Sequence, residues 1–204
     1  MISKNIFTFL NALKNNNERQ WFKENISTFR TAESEVKLFY SQLYDQLNQL
    51  DSIDNFKVFR IYRDIRFSKN KTPYKTHFSG SFHRTKPELR GGYYLHLAAN
   101  NESFIATGFW NPNKEDLIRL RKEFEIDSED LRAIIAEPRF KAIWGPLVGD
   151  ELRSAPRGFD KQDPNIDLIR KEQFIFIKKF TPIEKQVFWF LKEPIFFAHR
   201  SIQF

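Results

Sequence analysis

The sequence predicts an α+β fold: a mainly antiparallel central sheet with N-terminal helices and further helices packed on it, in one domain over residues 1–204. Helical spacing dominates the first 50 residues. Strand-like alternation follows between residues 56 and 110, with a hairpin signal inside it. The remainder reads helix, helix, strand, helix, without the strict strand–helix alternation that a parallel α/β fold needs.

Each element has a local reason. Ile6, Phe9, Leu10 and Leu13 recur at helical spacing. Asn17-Glu18-Arg19-Gln20 reads as a capping box opening a short helix at Trp21 and Phe22. Val36, Tyr40, Leu43, Leu47 and Leu50 make an apolar stripe on a long helix over residues 27–50. FKVFRIYRDIRF, residues 56–67, alternates as a strand. Residues 68–90 are a long loop with a short strand at Thr76–Phe82. GGYYLHLAANNESFIATGFW is a hairpin turning at Asn100-Asn101, because Asn tolerates positive φ. NPNKEDLIRLRKEF and DSEDLRAIIAE open with capping residues, and Pro138 ends the second. Residues 144–165 are loop, EQFIFIKKF is a strand, and Thr181 caps a last helix with Pro182 at its first position.

Composition narrows the function. The 23 Phe residues against one Met predict a largely aromatic core. Without cysteine there is no disulfide, thiolate metal site or cysteine nucleophile. No signal-peptide pattern and no membrane-length apolar run occur, which points to a cytoplasmic protein with no membrane partner. The net charge of +7 is local: residues 57–75 hold seven Lys/Arg against one acid, leaving 26 basic and 25 acidic residues elsewhere. Such concentration points to an anionic partner at one site.

On a strand, Arg60, Asp64 and Arg66 share one face with Tyr62, while Phe59, Ile61 and Ile65 face the core. Arg63 falls on the apolar side and needs either a bulge or a partner. The loop that follows adds Asn70, Lys71, Tyr74, Lys75 and His77. Arg offers a planar fork and Lys a point charge, so the set suits a phosphate or carboxylate.

These same residues resemble a known family. Arg60-x-x-Arg63-Asp64-x-Arg66-Phe67, followed by Asn70-Lys71-x-x-Tyr74, is similar to the signature of the domain-of-unknown-function 2461 family of bacteria and some longer fungal proteins. GGYYLHL at 91–97 and SAPRGFDKQDPNIDLIRKEQF at 154–174 extend the resemblance over most of the chain. Gln162-Asp163-Pro164 departs from it, since the resemblance implies a His before the Pro. It implies no activity, cofactor or catalytic residue.

Other chemistry is thinner. His77, His83 and His96 have no metal-ligand spacing, so no metal is expected. No phosphate-loop or dinucleotide glycine motif occurs, and no cofactor is expected. His96, on one hairpin face with Tyr94, is placed to move protons if that face meets the basic loop. Ser79-Gly80-Ser81 near His83 lacks a nucleophile elbow. Three functions stay open. The first is an oxyanion-binding pocket built on the basic strand and loop, with catalysis undecided, using Arg60, Arg63, Asp64, Arg66, Asn70, Lys71, Tyr74, Lys75, His77 and His96. The second is a nucleic-acid-binding module that stacks bases on Tyr62, Tyr74, Tyr93 and Tyr94. The third is a structural ion-pair network tying buried Arg63 and Asp64 to helix acids such as Glu33, Glu35 or Glu115.

Overall fold

The computed structural model describes residues 2–180. Three helices come first: α1 (Lys4–Asn15), α2 (Arg19–Glu24) and α3 (Ile26–Asn48). Four strands follow, β1 (Ile53–Val58), β2 (His77–Arg84), β3 (Gly92–Ala98) and β4 (Phe104–Phe109). Then come α4 (Lys114–Ile126), α5 (Glu129–Ala136), α6 (Pro138–Trp144), α7 (Ile166–Ile169) and β5 (Phe174–Lys179). The five strands form one antiparallel sheet in the order β1-β2-β3-β4-β5. The fold is α+β. No helix of the described residues is long and apolar enough to cross a membrane.

Alternation sorts the sheet into two faces. Phe78, Gly80, Phe82 and Arg84 of β2 share a face with Tyr93, Leu95 and Leu97 of β3. On that face Phe9 and Phe29 meet Phe78, and the Tyr40 ring stacks on Phe82 at 5.6 Å and 6°. Gly80 makes room for it, since a Cβ there would sit 2.5 Å from the Tyr40 ring. Further along the same face, Phe140 of α6 meets Phe176 of β5, and Phe124 of α4 meets Phe174. The core is aromatic, as the composition predicts.

The buried polar centre of this face is an ion pair. Arg84 is 1% exposed, and its Nη2 donates to Asp51 Oδ1 at 3.2 Å. Its Nε lies 2.8 Å from Asp51 Oδ2 without hydrogen-bond alignment, so that contact is purely coulombic. Tyr93 donates to the same carboxylate at 2.6 Å. Burial opposes the charge, yet Tyr93 and Arg84 together hold the Asp51 carboxyl below its usual range.

Several local expectations are corrected. Regular strand stops at Val58, well short of residue 67. The Asn17 side chain caps no helix: the N-cap of α2 is Glu18, without a side-chain bond, and Asn17 binds elsewhere. Pro138 ends α5 as expected, with Glu137 extended before it, but it also opens α6, where its missing N–H costs nothing and Glu137 caps the turn. The hairpin does turn at Asn100 and Asn101, with φ of 58° and 60°. The helix expected from Thr181 lies outside the described residues.

Breaking the buried pair leaves an unpaired guanidinium in the core, whereas an exposed pair is screened by water. Asp51→Asn is therefore expected to lower stability by about 3 kcal/mol. Asp64→Asn, which loses the exposed bridge to Arg66, should leave the urea midpoint unchanged. Urea unfolding of the two variants side by side checks this.

Candidate functional site

Beyond Val58 the chain loses regular pairing but stays tied to β2. Phe59 N–H donates to Ser79, Arg63 N–H to Pro73, and Lys75 N–H to Ile61. Tyr62 bridges Tyr74. Residues 61–63 and 73–75 thus make a narrow neck carrying the loop of residues 64–72. Asn17 clamps that neck: its Oδ1 accepts from Tyr74 N–H at 3.1 Å and its Nδ2 donates to Tyr74 C=O at 3.0 Å. The buried Tyr74 ring stacks on Phe22 at 3.9 Å and 12°.

The loop consumes its own polar groups. Arg66 is held by Asp64 through Nη2–Oδ2 at 2.7 Å and Nε–Oδ1 at 3.0 Å, and both residues are exposed. Lys71 donates to the carbonyl of Ile65 at 3.0 Å, tying the loop shut. Arg63 donates to Thr72 and Ser68, which supplies the partner that its half-buried guanidinium needs. Asn70 accepts from the Thr72 amide and hydroxyl. Arg63, Asp64, Arg66, Asn70 and Lys71 are therefore each engaged within the loop itself. The regular strand that was to align them is absent.

The structural-network expectation is corrected as well. Arg63 meets hydroxyls, Asp64 is exposed, and Glu33 pairs with Arg30 and Lys37 on its own helix. Among the described residues the most deeply buried ion pair is Asp51–Arg84, outside the basic stretch. For base stacking, Tyr74 and Tyr93 are buried and offer no free face, and Tyr62 packs edge-on against Phe22 and Tyr74.

Two cations remain. Arg60 is exposed, and among the described residues no hydrogen bond or ion pair engages it. Lys75 is half-buried with its Nζ 5.7 Å from the centre of the Phe59 ring and no ion pair among the described residues, whereas the charge of Arg60 is felt by Asp64. Burial, then the charge of Arg60, push the Lys75 pKa down. Strand alternation carries Lys75 onto the face of β2 that the described helices leave alone, in line with His77, Ser79, Ser81 and His83.

That face has its own pattern. Ser79 pairs with His96, Ser81 with Tyr94, and Tyr94 with Ala106 across β2, β3 and β4. The rings of His77 and His96 lie 4.0 Å apart, and Tyr94 Oη is 3.2 Å from His96 Nδ1. Phe59 approaches Tyr94 at 6.4 Å, which closes a circuit of Lys75, His77, His96, Tyr94 and Phe59. Ser79 sits on its floor, 3% exposed, with no hydrogen bond to its hydroxyl among the described residues. No Asp or Glu is paired in register on this face of the sheet, and the acid whose charge reaches it is Glu102 of the β3–β4 turn, which acts on His96. Burial, the neighbouring His96 and Lys75 push the His77 pKa down to about 4, and burial lowers that of His96. Burial thus favours the neutral imidazole at both positions, with the charge of Glu102 opposing it at His96. Ser81 Oγ and His83 Nε2 are 2.9 Å apart further along β2.

Of the sequence candidates, the structure brings Lys75, His77 and His96 together, with Arg60 at their edge. Ser79 enters the sequence reading only as a rejected nucleophile and Phe59 only as a core residue, whereas the structure sets Phe59 beside Lys75 and Tyr94; Phe104 gives no sequence signal of its place here. The arrangement offers fixed positive charge, an unused hydroxyl and two imidazoles able to donate or accept a proton. Among the described residues no group of three or more His, Asp or Glu is placed to hold a metal ion. A groove of about 910 Å³ between α5, α6 and α7 is a poorer candidate, because its Arg132 and Lys171 already pair with Asp167 and Glu151.

A histidine kept neutral by the fold makes stability depend on pH. Unfolded His77 binds a proton near pH 6.5, and the folded one only near pH 4. Stability should therefore fall as pH drops from about 6.5 to about 4, and His77→Gln should show a shallower fall over that window. Proton NMR of the imidazole, with urea midpoints at each pH, measures both.

No curated protein and no solved structure matches the chain. A family model of conserved hypothetical proteins, DUF2461, matches residues 5–188, and the chain belongs to that family.

Proposed function

We propose that this protein binds a small oxyanion, of phosphate or carboxylate type, on the face of the sheet where Lys75 and Arg60 adjoin His77, His96 and Ser79. One observation carries the reading: a half-buried ammonium with no ion pair among the described residues, beside a second cation. Burying a lone charge is costly, and like charges side by side add to the cost. Of the seven cations in residues 57–75, Arg63, Arg66 and Lys71 are satisfied within their loop. A bound anion would supply what Lys75 lacks, and the Ser79 hydroxyl would give it a neutral donor. Whether turnover accompanies binding is a separate matter, for which the His77–His96 pair offers a proton acceptor.

Inorganic phosphate at about five times its Kd should stabilise the wild type by about 1 kcal/mol. Lys75→Met keeps the aliphatic stem over Phe59 and should lose that stabilisation, as should Arg60→Gln. Arg66→Ala should retain it, because Asp64 already occupies that guanidinium. Thermal melts at several phosphate concentrations read this out. Loss in Arg66→Ala with retention in Lys75→Met would return the site to the loop and overturn the assignment.

A further inference from the structure

Resting on the anion reading, we infer that the ligand is an aromatic monophosphate or carboxylate: a flat unsaturated body with the anionic head at Lys75 and Arg60. The observation is the company that Lys75 keeps. Six rings lie along this side of the sheet: Phe59, His77, Tyr94, His96, Phe104 and Trp110. His96 stacks on Phe104 at 4.6 Å and 14°, and Tyr94 stands 5.7 Å from Phe104 and 6.5 Å from Trp110. All six are half-buried. In the aromatic core the rings are instead sealed, with Phe29 and Phe82 almost wholly inaccessible.

The floor between these rings is low. Ser79, Ala98, Ala106 and Gly108 occupy the strand positions beside them. Bulky rings over small residues leave flat, shallow relief, the shape that a planar ring system fills. Cation and rings are contiguous, because the Lys75 ammonium already lies over Phe59, and Phe59 leads to Tyr94. A ligand whose head reaches Lys75 therefore has its body over aromatic side chains. Stacking adds affinity that a bare oxyanion cannot collect.

The test uses the full chain and four probes: inorganic phosphate, phenyl phosphate, adenosine 5′-monophosphate and adenosine. Binding is followed by thermal melts and by tryptophan fluorescence, with Trp110→Phe isolating the signal of that ring. Phenyl phosphate and the nucleotide should bind about tenfold tighter than inorganic phosphate, with adenosine weaker than its phosphate. The fluorescence change should vanish in Trp110→Phe. Phe104→Leu should erase most of the aromatic advantage while leaving affinity for inorganic phosphate intact.

Aromatic phosphates binding no tighter than inorganic phosphate would overturn this inference and leave the anion site standing. No response to any phosphate would overturn both. A ten-residue oligothymidylate binding far more tightly than thymidine monophosphate, with a steep salt dependence, would replace the small ligand with a single-stranded polymer.

Discussion

Tyr40 lies flat on Phe82 across Gly80, and this contact settles which side of the sheet meets the helices. Its hydroxyl donates to Leu95 C=O at 2.7 Å, so the α3 helix is pinned to β2 and β3 at once. Side chains alternate strictly in a strand, so committing Phe78, Gly80 and Phe82 to the core commits His77, Ser79 and Ser81 to the other side. A slip of one residue would bury the histidines and expose the phenylalanines. The Asp51–Arg84–Tyr93 centre guards against that slip, because it satisfies a guanidinium on the core side of the same strand.

The electrostatic case follows from what is left over. Seven cations within residues 57–75 suggest a single basic pocket, but charge density along a chain says little about where the charged heads end up. Three of those cations serve the loop, binding one carboxylate, two hydroxyls and two backbone carbonyls. They order the loop, and of the three only Arg66 is neutralised by a carboxylate. Phe67, 96% exposed at the loop's tip, rides beside Arg66 on this frame. The charge on which the proposed site rests is that of Lys75, which is partly buried, with the exposed Arg60 beside it. Partial burial matters here, because the same charge in bulk water would be screened and would contribute little.

Much of the fold was legible, and the reason is local. Helical stripes such as Val36, Tyr40, Leu43 and Leu47, the Asn100-Asn101 turn and the β5 alternation each announce themselves within a few residues. The misreadings involve partners distant in sequence. Asn17 looked like a cap because Gln20 follows it, yet its true partner is the backbone of Tyr74, 57 residues on. Arg84 gave no sign that Asp51 would bury it, since a lone Arg in a polar stretch reads as exposed. The strand-like period runs on to residue 67 through Ile61 and Ile65, but the neck formed by residues 61–63 and 73–75 interrupts it. In the candidate site, Lys75, His77 and His96 were visible as residue types. Their separation from Arg66 and Lys71, and their grouping around Ser79, are properties of the sheet that no local window contains.

The central claim is that Lys75 carries a partly buried charge, without an ion pair among the described residues, that awaits an anion. The most direct measurement follows the lysine ammonium groups by NMR as a function of pH, with and without inorganic phosphate. Lys75 should titrate below the exposed lysines in the free protein and move upward when phosphate is added, while Lys69 and Lys71 stay where they were. A Lys75 that titrates with the rest, or that ignores phosphate while the loop lysines respond, would contradict the account.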